Sequence, residues 1–228
     1  MLAVAAGSEH VTRAMRSLEA LFLIGVEGVT EVWLVRHADC YHQMTEAEDP
    51  PLSAMGREQA QRLAERVKRV KTAAVYSSPL RRAMETARVI TEDFRVDQRL
   101  VEMALTISEE GTLDFQETSE SASARMRGVI EDVVREHEGE RVVLICHAAS
   151  ILACLTDVMR LEPGSLRLLP YYTSISTVRV LGERRMVGSL GDTAHLEMNR
   201  FDSAPPAQPH PRRKRRYFPT EWGRATSS

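Results

Sequence analysis

The feature that most restricts this chain is the repeated appearance of short, apolar, β-rich runs, each followed by a segment with helical spacing. Val32-Trp33-Leu34-Val35, Ala73 to Tyr76 and Val142 to Cys146 are such runs, and Ser174 to Leu181 reads as another, with a short strand expected near Met186. A continuous apolar run of this length is what a strand covered on both faces needs. Strands alternating with helices close most readily into right-handed crossover units. The expected architecture is therefore three-layer α/β/α with a mostly parallel central sheet.

The intervening helices carry their own signals. Ser53 is placed to cap a helix whose Ala60, Leu63, Ala64, Val67 and Val70 share one face. Ser78-Pro79 offers a capping hydroxyl and a first-turn proline ahead of Leu80, Ala83, Met84, Ala87 and Ile90. Ser121 is read as the cap of a helix with Met126, Val129, Ile130, Val133 and Val134 inward, ended by Gly139. Ile151, Leu152, Leu155, Val158 and Met159 form the next helix, stopped before Pro163-Gly164. Three regions follow: a helical extension over 1–29 with Val11, Met15, Leu18, Leu21 and Phe22 near helical spacing, an α/β domain over 30–200, and a basic tail over 201–228. The tail is rich in proline and polar residues and is expected to be disordered.

In an open parallel sheet, ligands bind beyond the carboxyl ends of the strands. Two apolar strands here run into histidine there: Val35 into Arg36-His37, and Cys146 into His147. After the Ala73–Tyr76 strand, Arg81 and Arg82 stand in the first turn of a helix. Cations oppose the helix dipole at that end, by a few tenths of a kcal/mol or more, unless an anion binds there. Converging arginines and histidines suit a dianionic phosphoryl group, because guanidinium forks match its oxygens.

The bulk composition narrows the field further. A formal net charge of −2 over 228 residues argues against nucleic acid as a partner. Three cysteines, Cys40, Cys146 and Cys154, form neither a disulfide framework nor a zinc-site spacing, which points to a reducing, cytoplasmic setting. Ala20 to Val26 is too short to span a bilayer, so no membrane is expected as a partner. The run Arg212, Arg213, Lys214, Arg215 and Arg216 reads as a nuclear address or as a solubilising terminus.

Together these segments make the sequence similar to the histidine phosphatase superfamily, the phosphoglycerate mutase-like fold family. The resemblance rests on Val35-Arg36-His37-Ala38-Asp39, on Pro51-Leu52-Ser53 with Gly56 and Gln59-Ala60, and on Ser78-Pro79-Leu80-Arg81-Arg82-Ala83 with Thr86-Ala87. Arg99-Leu100-Val101-Glu102 and Cys146-His147-Ala148 complete it, all in the family's order over about residues 31 to 200. The resemblance implies a phosphomonoester phosphatase with His37 as the nucleophile that becomes phosphohistidine. It further implies Arg36, Arg82 and His147 as the catalytic phosphate clamp, Glu102 as the general acid, and Gln43 as a further substrate contact. Arg82, directly before Ala83, matches the motif arginine, whereas Arg81 falls on a variable position. Neither metal nor cofactor is implied.

Departures from the family pattern are Ala38-Asp39 for the usual Gly-Glu, Gln43 for an asparagine, and Ala148 for a glycine. The Cys146-His147-Ala148 form and Leu169-Pro170-Tyr171 resemble the phosphatase domains of the ubiquitin-associated and SH3 domain-containing proteins, which act on phosphotyrosine. The implied partner is a phosphorylated small molecule or a phosphoprotein, with a homodimer left open and substrate selection expected from the loop over about 104–120. Two alternatives stand beside the phosphatase: a phosphoglycerate mutase-type phosphotransferase, and a non-catalytic phosphate-binding relative. His195, in Gly191-Asp192-Thr193-Ala194-His195-Leu196, is read as structural.

Overall fold

The computed structural model describes residues 2–40, 49–107 and 113–197, and for residues 2–8, 105, 107 and 113 the backbone alone. Gln43 and the tail over 201–228 lie outside the described residues. After a first helix α1 (Leu2–Leu21), the chain runs β1 (Thr30–Arg36), α2 (Ala54–Lys68), β2 (Ala74–Ser77), α3 (Arg81–Ile90) and β3 (Arg95–Val96). A 3-10 turn (Gln98–Leu100) leads to β4 (Leu105–Ile107) and β5 (Leu113–Phe115), followed by α4 (Ser119–Glu136) and β6 (Arg141–Cys146). The described chain closes with α5 (Ala148–Val158), β7 (Ile175–Leu181), β8 (Arg184–Asp192) and α6 (Ala194–Glu197).

Strand alternation builds the three layers. In β1 and β6, Val32, Leu34, Val142, Leu144 and Cys146 point to one side. There they meet Met126, Val129, Ile130 and Val133 of α4 and Ile151, Cys154 and Leu155 of α5. The intervening Trp33, Val35, Val143 and Ile145 point to the other side, against Leu63 and Val67 of α2 and Ala83 and Ala87 of α3. A strand alternates its side chains with period two, so burial on both faces requires the unbroken apolar run seen in the sequence. Removing one such side chain, as in Leu144→Ala, costs about 2–5 kcal/mol.

The sheet order is β3-β2-β6-β1-β7-β8. Its first four strands are parallel, while β7 pairs antiparallel with β1 and β8 antiparallel with β7. The expected mostly parallel sheet is thus present, completed by an antiparallel edge. The short strand expected near Met186 is the nine-residue β8, and the presumed loop over 104–120 contains the β4–β5 hairpin. Two caps also differ. The fourth helix is capped by Thr118 rather than Ser121 and ends at His137 rather than Gly139. The third is flanked by Leu80, with no side-chain cap; the Ser78 hydroxyl accepts from Leu80 N at 3.3 Å ahead of the helix and has a second partner described below.

The expected helical extension is present as α1, but it is not packed on the domain along its apolar stripe. Val11, Met15, Leu18, Leu21 and Phe22 are all about half exposed or more. Its C-terminal carbonyls are held by Arg184, whose guanidinium donates to Leu21 O at 2.7 Å. No helix among the described residues is long and apolar enough to cross a membrane.

Candidate active site

The parallel ladder continues one bond past the strand ends, and this is what brings the site together. Arg36 pairs with Cys146, and beyond them His37 N donates to Cys146 O at 2.9 Å. On the other side of β6, Ser78 N donates to Ile145 O at 2.9 Å. The residues immediately following β1, β2 and β6 are therefore neighbours at one edge of the sheet, as the rule for open sheets requires. The helix α5 begins there with His147 as its N-cap, and α3 begins there at Arg81.

His37 is buried, 2% exposed. Its Nδ1 lies 2.8 Å from the Ala38 carbonyl oxygen, so Nδ1 carries the proton. Arg82 Nε donates to His37 Nε2 at 3.3 Å, which leaves the lone pair on Nε2. Burial, the Arg82 charge and the Arg36 charge hold this imidazole well below its ordinary pKa, while the Ala38 bond pulls the other way. His147 is also depressed, by burial first and then by His37, Arg82 and Arg36. Both rings are therefore neutral near pH 7, and their centroids stand 5.0 Å apart.

Arg36 stacks on Tyr172, 4.0 Å from the guanidinium carbon to the ring centroid, and donates through Nη1 to Pro170 O at 2.9 Å. Tyr172 in turn lies 5.9 Å from the His37 ring. His147 Nε2 is 2.7 Å from Ser78 Oγ. Two nitrogens of this group, Arg36 Nε and His147 Nδ1, are buried without a hydrogen-bond partner among the described residues. A buried polar group left unsatisfied costs about 1–3 kcal/mol.

The loop carrying His37 is gripped from below. Ser53 Oγ donates to Asp39 Oδ2 at 2.5 Å and accepts from Gly56 N at 3.0 Å, so it caps α2 as expected. Gln59 Oε1 accepts from Asp39 N, and Thr86 Oγ1 accepts from Ala38 N while donating to Arg82 O. Gly56 is required because a Cβ there would lie 1.9 Å from Asp39 O. The quoted serine, glycine, glutamine and threonine motif positions thus share one structural task.

The structure gathers Arg36, His37, Arg82 and His147, and it separates the two adjacent arginines. Arg82 is buried, whereas Arg81 is exposed and paired with Glu85 at 2.8 Å. Glu102 sits at the N-terminus of the helix that His147 caps. Its Oε1 accepts from Met103 N at 2.9 Å and from Ser150 N at 3.2 Å. His195 is buried against Thr173, Nε2 to Oγ1 3.0 Å, and Thr173 N donates to Arg36 O at 2.9 Å. Thr173 adopts φ 57, a left-handed conformation that a β-branched residue rarely takes. His195 therefore supports the segment beneath Arg36 and stays outside the His37–His147 pair.

Residues missed by sequence reasoning are Tyr172 and Asp49. Asp49 accepts from Arg82 Nη1 at 3.2 Å and from Arg81 N at 2.7 Å. Its place two residues before Pro51-Leu52-Ser53 was the available signal.

Comparison with known proteins identifies the family and the fold. A family model described as the histidine phosphatase superfamily (branch 1) matches residues 32–114 and 106–193. The protein named "Probable phosphoglycerate mutase GpmB" of Enterobacter sp. (strain 638) is 24% identical, over 75% of this chain and 97% of its own length. The phosphoserine phosphatase of Entamoeba histolytica, solved with phosphoserine, superposes with TM-score 0.61 at 22% identity, over 73% of this chain and 99% of that one. A mycobacterial glucosyl-3-phosphoglycerate phosphatase superposes with TM-score 0.58 at 21% identity, over 71% and 98%.

Proposed function

The chain belongs to the histidine phosphatase superfamily, and on that premise we propose that it hydrolyses phosphomonoesters of small metabolites through a phosphohistidine on His37. One observation carries the reading. A buried, neutral imidazole holds its lone pair on Nε2, the His147 ring stands 5.0 Å away, and two buried nitrogens of the same group, Arg36 Nε and His147 Nδ1, have no hydrogen-bond partner among the described residues. A tetrahedral anion beside Nε2 satisfies both.

In the first step the His37 Nε2 lone pair forms a bond to phosphorus as the ester P–O bond breaks. Nδ1 keeps its proton and the Ala38 bond, which holds the ring in the attacking orientation. Arg36, Arg82 and His147 stabilise charge on the equatorial oxygens, where phosphoryl transfer gains most. Glu102 gives a proton to the departing oxygen and then takes one from the water that attacks phosphohistidine. The alcohol and inorganic phosphate leave, and His37 returns to its neutral form.

Hydrolysis of para-nitrophenyl phosphate in the presence of EDTA tests this. Turnover that survives His37→Ala, or that EDTA abolishes, overturns the mechanism. Small phosphorylated metabolites are favoured as substrates because the superposed structures include phosphatases of phosphoserine and glucosyl-3-phosphoglycerate. A mutase reading is supported by the GpmB relative, a probable phosphoglycerate mutase. Incubation with 3-phosphoglycerate and a bisphosphate primer separates the two. Phosphotyrosine peptides, the substrates implied by the Cys146-His147-Ala148 resemblance, belong in the same screen. The basic run over 212–216 is read as a nuclear address, and an unchanged distribution after deletion of 202–228 discards it.

A further inference from the structure

We propose that Asp49 is a positioning residue for Arg82, holding its guanidinium so that one edge of the fork faces the phosphoryl group. The inference rests on the phosphatase reading above and assigns a task to a residue that no motif used there includes.

A guanidinium is planar and presents two forks. Nε and Nη2 share one edge, while Nη1 lies on the Cδ side, away from Nε–H. The Asp49 carboxylate engages Nη1 at 3.2 Å. Arg82 Nε already points at the attacking nitrogen, 3.3 Å from His37 Nε2. The carboxylate thus occupies the nitrogen that a side-on bidentate phosphoryl group does not use, and it leaves the Nε–Nη2 edge turned toward His37.

Asp49 is itself fixed. Its second oxygen accepts from Arg81 N at 2.7 Å, at the start of a helix whose flanking Leu80 supplies no side-chain cap. One carboxylate therefore grips both the backbone beside Arg82 and the head of its side chain. The Arg82 side chain is 9% exposed and that of Asp49 37%, so the arginine is held in the site and the brace stands at its rim. Without the brace the long arginine side chain regains rotamers, and a bidentate contact becomes a single one.

The same contact admits an opposite role, in which the carboxylate competes with the substrate for the guanidinium. The two differ in sign. A brace strengthens anion binding; a competitor weakens it.

The test uses the full chain and two readouts: calorimetric binding of inorganic phosphate, and para-nitrophenyl phosphate kinetics. In Asp49→Ala the phosphate dissociation constant and KM rise about tenfold, the scale of one charge-assisted hydrogen bond, while kcat falls less. Asp49→Asn, which keeps one acceptor oxygen, lies between the wild type and Asp49→Ala. If Asp49→Ala does not fold, Asp49→Asn alone decides, with a weaker phosphate constant expected. Unchanged or tighter phosphate binding overturns the proposal, including the case where melting temperature falls through loss of the cap alone. A wild-type chain that binds phosphate but gives either of those variant results refutes the brace and leaves the phosphatase reading intact. A wild-type chain that neither binds phosphate nor turns over ester refutes both.

Discussion

The Nε–H of Arg82 points at the lone pair of His37 Nε2 from 3.3 Å. A cation that donates to a would-be nucleophile does two things. It keeps the imidazole unprotonated, and it marks where the attacked group's oxygens will sit. Replacing Arg82 by alanine should therefore lower kcat/KM for para-nitrophenyl phosphate about 10²–10³-fold. Arg82→Lys, which keeps the charge and loses the fork, should recover only part of that. A wild-type rate in Arg82→Ala removes this arginine from the clamp.

Gly56→Ala should cripple the site from a distance. The added Cβ meets the Asp39 backbone oxygen at 1.9 Å, and that backbone leads directly to His37. Overpacking of this kind costs about 1–3 kcal/mol, and it displaces the loop that carries His37. Thermal unfolding and ester hydrolysis should both report it. Normal activity with normal melting would mean that the loop tolerates the shift.

Ser78→Ala should lower kcat/KM about tenfold, equal to ~1.4 kcal/mol, with little change in melting temperature. Its hydroxyl is 2.7 Å from His147 Nε2. With the hydroxyl donating there, the single ring N–H sits on Nδ1, the nitrogen left without a hydrogen-bond partner among the described residues. Proton NMR of the His147 ring would show the tautomer directly. Retention of the Nδ1–H tautomer and of full activity in the variant would contradict this assignment.

Acid should destabilise the fold through its histidines. His37 and His147 are held well below 6.5, and His195 is lowered to about 4, by burial first and then by the Arg66 charge, with Asp192 opposing. Between the folded and unfolded values the unfolded chain binds more protons, so stability rises with pH across that window. The contribution is fully present above about pH 6.5. It is lost as pH falls, for His195 on approaching about 4. Denaturant midpoints should decline from about pH 7 to about pH 5, less steeply in His195→Gln. The acid limb of kcat/KM, set by protonation of His37, should likewise lie below the free-imidazole value. A flat stability profile would show that these rings are not the neutral, buried groups described above.

The amino-acid order by itself determined the strands and the ends at which chemistry sits. Val32–Val35 and Val142–Cys146 must be covered on both faces, and each delivers its histidine to the same edge of a parallel ladder. Motif position, through the family resemblance, singled out Arg82 from Arg81. Such features depend on near neighbours along the chain. What only the tertiary structure decided is which distant groups meet. Asp49 reaches Arg82, the Ser78 hydroxyl meets His147, and Thr173 ties His195 to the backbone under Arg36. The antiparallel β7–β8 edge belongs with these, because an alternating apolar run specifies a strand's faces but not its direction. Side chains dozens of residues apart touch only after the sheet has closed, and no local pattern encodes that closure.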